Sequence, residues 1–391
     1  MKAKEITQKI NISGVVEEIF ANELHPKQKQ SLGYAALGIL ESESLILHQI
    51  GKGLAKARGS AKKHATKQID RLLSNKKLSV WELSSLWARY AIGGSKELIV
   101  ALDWSSFADD AQSMLSLNVV LPKGLSVPLL WKSVENSRIK HNRARYEDQL
   151  LSQLKEVVSD EVKITVLADR GFSDHKFLKF IEEELKFDYV IRIKSNTTII
   201  SEEKRLKASE HLNTAKVRVV KEAGVTLQNY PVKTFVAVQD KGMKAAWYLV
   251  SNKNMTGRQI INLYAKRWKI EAYFRDLKNG RYGYGMEATQ YKSAERRDRL
   301  MLVVVLCYRL LVILGQAGES IGFDRKLKVN TVKTRTHSLF TQGQFYYEFF
   351  DNFTREEQEQ LMAEFSSLLQ EQPFWSCLFY EETQQNFESV S

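Results

Sequence analysis

Three carboxylates stand where they could carry metal chemistry. Asp103 closes the apolar run Glu97-Leu98-Ile99-Val100-Ala101-Leu102, and Asp169 closes a second, Lys163-Ile164-Thr165-Val166-Leu167-Ala168. If both runs are strands and neighbours in one sheet, the two carboxylates converge at its edge. At about 4 Å and an effective dielectric near 20 such a pair repels by roughly 4 kcal/mol. It therefore needs a raised pKa, cationic partners or a divalent metal, and oxygen-only ligands suit Mg²⁺ or Mn²⁺. A strand-end Asp is also ordinary turn chemistry, so position alone leaves both readings open.

The third acid comes with cations. In a continuous helix over Thr256–Tyr282, the residues Tyr264, Arg267, Glu271 and Lys278 fall within about 60° of one face. Ile270, Tyr273, Phe274 and Leu277 lie on the adjoining apolar side. Arg267 and Glu271, at i and i+4, could be a surface ion pair. The same group also suits a metal-dependent phosphodiester site, with the acid on the metal and the cations on the flanking phosphates.

This spacing resembles the Y-R-E-K signature of bacterial insertion-sequence transposases, the cut-and-paste DDE group with an RNase H-like core. The stretch Tyr264-Ala265-Lys266-Arg267-Trp268-Lys269-Ile270-Glu271, followed by Lys278, supplies it without a gap. Asp103-Trp104 is similar to the family's first Asp, commonly followed by Trp. Asp169-Arg170-Gly171-Phe172 is similar to the D-R-G-F-like run around its second. A β-rich insert separates the second Asp from the Glu, as residues 195–250 do here. The resemblance implies that Asp103, Asp169 and Glu271 are catalytic and hold two Mg²⁺ ions, with Mn²⁺ able to substitute. It implies that Tyr264, Arg267, Lys278 and Arg170 contact phosphates near the scissile bond. Trp247 would stack on a flipped base; the other reading is a core Trp on a strand. The implied chemistry is a water-driven nick at the element's end, attack by the freed 3′-hydroxyl, often through a hairpin, and joining to target DNA. Partners would be double-stranded DNA, both element ends and target, and a second copy of the chain in a paired-end complex. Two alternatives are a structure-selective RNase H-like nuclease without strand transfer and a domesticated, non-catalytic DNA-binding protein. Loss of a metal ligand would mark the latter, and all three acids are present.

Charge agrees with a polyanionic partner. The 391 residues carry 58 Lys and Arg against 46 Asp and Glu, for a net +12. From Gly51 to Lys77 nine basic residues face Asp70 alone, with Lys62, Lys63 and Lys67 as candidate DNA contacts. From Glu348 to Ser391 ten acids face Arg355 alone. That aromatic, acidic stretch, with Phe374, Trp375 and Phe379, is expected to contact protein rather than DNA. Two Cys, Cys307 and Cys377, exclude a disulfide framework and a Cys-based zinc site. The polar opening Met1–Glu5 leads into no secretory core, and the apolar run Leu300–Leu314 carries Arg309, so a buried helix is expected rather than a membrane span. The expected location is the bacterial cytoplasm, at the nucleoid when DNA is bound.

The elements that must position these residues read as an α/β chain: an RNase H-like core interrupted by a β-rich insertion and flanked by helical regions. Residues 1–90 are helical and would bind DNA ends, with Ser60 a helix cap in a helix-turn-helix-like stretch. The first part of the core is 91–194, with strands at Glu97–Trp104, Met114–Leu121, Leu125–Val134, within Lys163–Phe172 and at Phe187–Ile193, and Pro122-Lys123-Gly124 as a turn. Helices are expected over Arg143–Val158 and Lys176–Leu185. The insertion is 195–250, with strands at Lys216–Val220, Val232–Val238 and Ala245–Val250. The second part of the core is 251–320, and 321–391 is a helical C-terminal region. Gly280, Gly283 and Gly285 should end the Glu271 helix, since no P-loop Lys follows them.

Overall fold

The computed structural model describes residues 12–20, 23–107, 109–121, 126–201, 204–212 and 216–370. The opening Met1–Glu5, the Pro122-Lys123-Gly124 turn, Cys377 and the aromatic residues Phe374, Trp375 and Phe379 lie outside them. The chain forms two compact units. One comprises Ser95–Ser105 and Ser113–Glu271. The other comprises the described residues up to Gly94, Ser106–Gln112 and those from Ala272 onward.

The helices are α1 (Ile12–Phe20), α2 (Pro26–Ser42), α3 (Leu47–Arg58), α4 (Lys62–Ser74), α5 (Val80–Ile92), α6 (Arg143–Val157), α7 (Gly257–Ala265), α8 (Trp268–Lys278), α9 (Ala294–Ser320), α10 (Leu339–Glu348) and α11 (Arg355–Gln370). The strands are β1 (Glu97–Phe107), β2 (Gln112–Val120), β3 (Ser126–Glu135), β4 (Lys163–Ala168), β5 (Asp188–Arg192), β6 (Thr198–Ser201), β7 (Lys204–Lys207), β8 (Val217–Val225), β9 (Tyr230–Val238) and β10 (Trp247–Ser251). They form one sheet in the order β3-β2-β1-β4-β5-β10-β9-β8-β6-β7. The mixed α/β architecture is the one expected.

The centre of the sheet is parallel. β4 pairs with β1 on one side and β5 on the other, both in parallel. It is buried along all but its first residue, as suits a strand covered on both faces. β10 then joins β5 antiparallel, and β9 joins β10 antiparallel. The β-rich insertion, residues 195–250, continues the same sheet. Its hydrogen bonds go to the β5 edge, which would otherwise leave unpaired backbone groups. β6 and β7 are additional strands that the sequence did not announce. Over Lys176–Leu185 only His175–Lys179 is α-helix, followed by a wider turn through Glu184.

The helical unit joins the two ends of the described chain. The apolar helix α9 packs against α2, α4, α10 and α11. It is long and apolar enough to cross a bilayer, but 94% of its apolar window is buried in protein. The linear division into end-binding, core and C-terminal parts thus differs from the packing, which places α9 with both flanks. Gly51 and Gly53 lie inside α3. A Cβ on Gly51 would stand 2.1 Å from Thr66 Oγ1, and one on Gly53 would stand 2.6 Å from the Gly38 carbonyl oxygen. They allow α2, α3 and α4 to approach closely. Ser60 does not cap α4; its N-cap is Ala61, without a side-chain bond. His25 caps α2 through its side chain, paired with Gln28 in a capping box. Within the acidic C-terminal stretch, Phe350, Phe353, Leu361 and Phe365 are buried. The described part packs its apolar face on this chain's own α9.

Candidate active site

The sheet register brings the first two acids together. In the parallel β1–β4 pair Leu102 stands opposite Ala168, so Asp103 and Asp169 are the next residues along the two neighbours. The Asp103 Oδ1 accepts from the Trp104 amide at 2.9 Å. The Asp169 Oδ1 accepts from the Gly171 amide at 2.7 Å, capping the tight turn Arg170–Phe172. Arg170 is exposed on that turn.

Glu271 reaches Asp103 through an arginine. The Arg267 Nη1 donates to Asp103 Oδ2 at 3.1 Å, and its Nη2 donates to Glu271 Oε1. The Arg267 side chain is 7% exposed, against 19% for Asp103 and 38% for Glu271. Burial works against the arginine's charge, but Tyr264, Asp103 and Glu271 more than offset it and raise its pKa. In this structure Arg267 is the counter-ion of the cluster, paired with both carboxylates.

The expected continuous helix is broken at this point. α7 ends at Ala265 and α8 begins at Trp268. Between them the amides of Lys266 and Arg267 bond to the carbonyls of Leu263 and Tyr264, three residues back, which tightens the turn. The four signature residues therefore do not share one straight helical face. Tyr264 points into the sheet core with Leu167, Val190, Val236, Leu249 and Ile260. At 1% exposure its ring is part of the core beneath the site. Arg267 lies 5.7 Å over its ring. Trp247, first residue of β10, is half-buried and meets Tyr264 edge-to-face at 5.1 Å. It packs against the same core cluster.

The remaining cations lie in the helical unit. Lys278 donates to the Ser106 carbonyl, pairs with Glu287 at 3.5 Å and sits 4.9 Å over Phe107. Lys62, Lys63 and Lys67 are exposed on α4. Gly283 and Gly285 close the end of α8: Gly285 has φ 65°, and a Cβ on Gly283 would stand 2.1 Å from the Asp276 carbonyl oxygen.

Two residues at the site escaped sequence reasoning, Glu147 and Arg143. Glu147 Oε1 accepts from Trp104 Nε1 and from Arg143 Nε, both at 2.8 Å. Arg143 also lies beside Gly171, where a Cβ would be 2.9 Å from Asp169 Oδ1 and 3.1 Å from Arg143 Nη2. One signal was available: Glu147 shares the buried face of α6 with Leu150, Leu151 and Leu154, and an unpaired charge is rare there.

Burial pushes the Asp103 carboxyl from 3.8 up to about 6; Arg267 opposes the rise, while Asp169 and Glu271 add to it. Between those values the folded chain keeps a proton that the unfolded chain has lost. Stability is therefore lost as pH rises from about 4 through about 6, by on the order of 3 kcal/mol once complete. Asp103→Asn should melt higher than the parent at neutral pH in divalent-free buffer and lose that advantage near pH 4. Equal differences at both pH values would show that Asp103 carries no such penalty.

The three carboxylates form an all-oxygen donor set that fits a hard divalent cation. Among the described residues no three acidic, His or Cys side chains are gathered tightly enough to hold an ion as they stand, and Arg267 occupies the charge balance between Asp103 and Glu271. Residues 123–310 match the family described as transposase DDE domain. This region of the chain is similar to DDE transposases. The matched region contains Asp169 and Glu271 and begins after Asp103, which stands beside Asp169 in the sheet. Its mixed α/β sheet with flanking helices agrees with an RNase H-like DDE domain. The family acts on DNA and generally uses divalent metal ions. Comparison with curated proteins gives no match.

Proposed function

We propose that the chain is an insertion-sequence transposase that binds the terminal inverted repeats of its element and catalyses strand cleavage and strand transfer. The observation that carries this reading is the pair Asp103 and Asp169 at the ends of adjacent parallel strands, with Glu271 tied to Asp103 through Arg267. Asp103, Asp169 and Glu271 would hold two Mg²⁺ ions, or Mn²⁺. Bound there, divalent cations supply Lewis acidity and lower the pKa of an attacking water or 3′-hydroxyl. The chain's residues do the rest. Burial of Asp103 makes a bare carboxylate costly and so favours occupancy. Arg267 would leave one or both carboxylates as they are taken up, and its freed guanidinium would reach a phosphate. Arg170, exposed beside Asp169, would hold a phosphate on the same side. Trp247 would offer its open face to a displaced base while its other side leans on Tyr264. The protein would act at the nucleoid, as two copies on paired ends.

Incubating the protein with Mg²⁺ and its element's end DNA, and separating the products on a denaturing gel, tests the reading. Nicks, hairpins and joined products are expected. Nicks without joined products would instead indicate a structure-selective nuclease, and binding without cleavage a domesticated DNA-binding protein.

End binding is expected to depend on α4. The exposed Lys62, Lys63 and Lys67 lie on one short helix, with Lys67 only 3.5 Å from Asp70. Neutralising them should lower the slope of log K against log salt by about 0.9 per true phosphate contact. A slope that does not move would make this helix a solvated face.

A further inference from the structure

Glu147 is 5% exposed, and both of its strong hydrogen bonds fall on one carboxylate oxygen. One partner, Trp104, follows Asp103 in β1. The other, Arg143, is one turn back on α6 and 45% exposed at its side chain. The Arg143 guanidinium stands 5.6 Å over the Trp104 ring and 5.3 Å over the Phe172 ring. Its Nε is spent on Glu147. Its Nη2 lies against the Gly171 backbone, in the turn that Asp169 caps, and Gly171 leaves that space open by having no Cβ. Two aromatic faces and a buried acid thus hold one end of a half-exposed cation, and the other end is presented beside an acid of the cluster. An arginine needed only for packing would not require its outer nitrogens at that turn. Held by one nitrogen, the planar fork still has donors for a phosphate oxygen.

We propose that Arg143 is a further phosphate contact of the DDE site and that Glu147 is its positioning residue, an inference that rests on the DDE reading of Asp103 and Asp169. A DNA strand whose phosphodiester meets Asp169 would bring a neighbouring phosphate to the Arg143 Nη groups. Glu147 fixes the direction of the fork and, through Trp104, ties it to the backbone that carries Asp103.

The test uses the full chain and a duplex with the sequence of the element's end. Binding is measured across a salt series in divalent-free buffer, so that no cleavage is needed. Arg143→Gln should lower the slope of log K against log salt by about 0.9. Arg143→Lys should keep the slope, because the charge still meets the phosphate, but nick more slowly at saturating DNA, because an ammonium on a flexible stem does not hold the phosphate in the fixed direction that the planar fork imposes. Glu147→Gln keeps an oxygen for Trp104 and should also lower the saturated nicking rate without changing the slope. With Arg143→Gln already present it should add little. Melting curves accompany each variant. If Arg143→Gln does not fold, the Arg143→Lys and Glu147→Gln rates still decide the matter, and parental rates in both would overturn the inference. An unchanged slope in a folded Arg143→Gln, or rate losses that simply multiply in the double variant, would overturn it too. Failure of the DDE reading looks different: the parent protein itself would not cut.

Discussion

Asp103→Ala, Asp169→Ala and Glu271→Ala should each reduce strand cleavage by on the order of a thousand-fold or more, with end-DNA affinity nearly intact. The size follows from what is removed. Metal-assisted stabilisation of developing charge is worth several kcal/mol, and each 1.36 kcal/mol is a factor of ten in rate. Affinity should survive because duplex binding comes mainly from cations meeting phosphates, and none of the three changes removes a cation. The structure also separates the three. Asp169 caps the Arg170–Phe172 turn, so Asp169→Asn, which keeps an oxygen for the Gly171 amide, distinguishes lost chemistry from a loosened turn. Glu271 is more exposed than Asp103, so Glu271→Ala should fold more like the parent than Asp103→Ala does. Gel assays in Mg²⁺ and binding assays without it give the two numbers for each variant. A variant that cleaves at the parental rate would leave the site.

The second large effect is on stability. Arg267→Ala leaves Asp103 and Glu271 without their shared counter-charge, and breaking a buried ion pair by removing one partner costs about 3–5 kcal/mol. Exposure of Glu271 and proton uptake by Asp103 should bring the loss toward the lower end. Cations and the arginine answer the same carboxylates. Added Mg²⁺ or Mn²⁺ should therefore raise the melting temperature more in Arg267→Ala than in the parent, since any ligand that binds only the folded state stabilises it in proportion to its occupancy. Thermal melts with and without the divalent ion measure this. An equal rise in both proteins would mean that Arg267 does not compete for those oxygens.

Legibility in the sequence followed the physics of burial. β1 and β4 were readable because strands covered on both faces become near-continuous apolar runs, and their terminal acids stood out against them. The spacing from Tyr264 to Lys278 was readable as a pattern, but its geometry was not. Neither Gly nor Pro marks the break between Ala265 and Trp268, so periodicity ran through a junction made by tighter backbone bonds. That junction sends Tyr264 into the core and turns Arg267 onto the carboxylates. β6 and β7 gave no signal, because Lys204–Lys207 is exposed throughout and has no apolar alternation. The addition of residues 195–250 to the main sheet was hidden for a different reason. Strand pairing between β5 and β10 is a non-local contact, and nothing in either strand names its partner. Glu147 was overlooked as one charge in an amphipathic helix.

The pairing of β10 with both β5 and β9 has a consequence for how the molecule comes to be made. β4 and β5 are separated by a short crossover and can pair as soon as both have emerged. β10 must wait for the whole excursion through β6, β7, β8 and β9, and closing that long loop carries an entropic cost before its contacts repay it. Tyr264 and Ile260 of α7 dock on a surface that includes Leu249 of β10 and Val236 of β9, so α7 finds its seat only after this closure. The two aspartates would then be in place early in folding, and the arginine–glutamate arm would swing in last. A chain interrupted during synthesis, or shortened within the excursion, would hold a paired but incomplete acid cluster that cannot cut DNA.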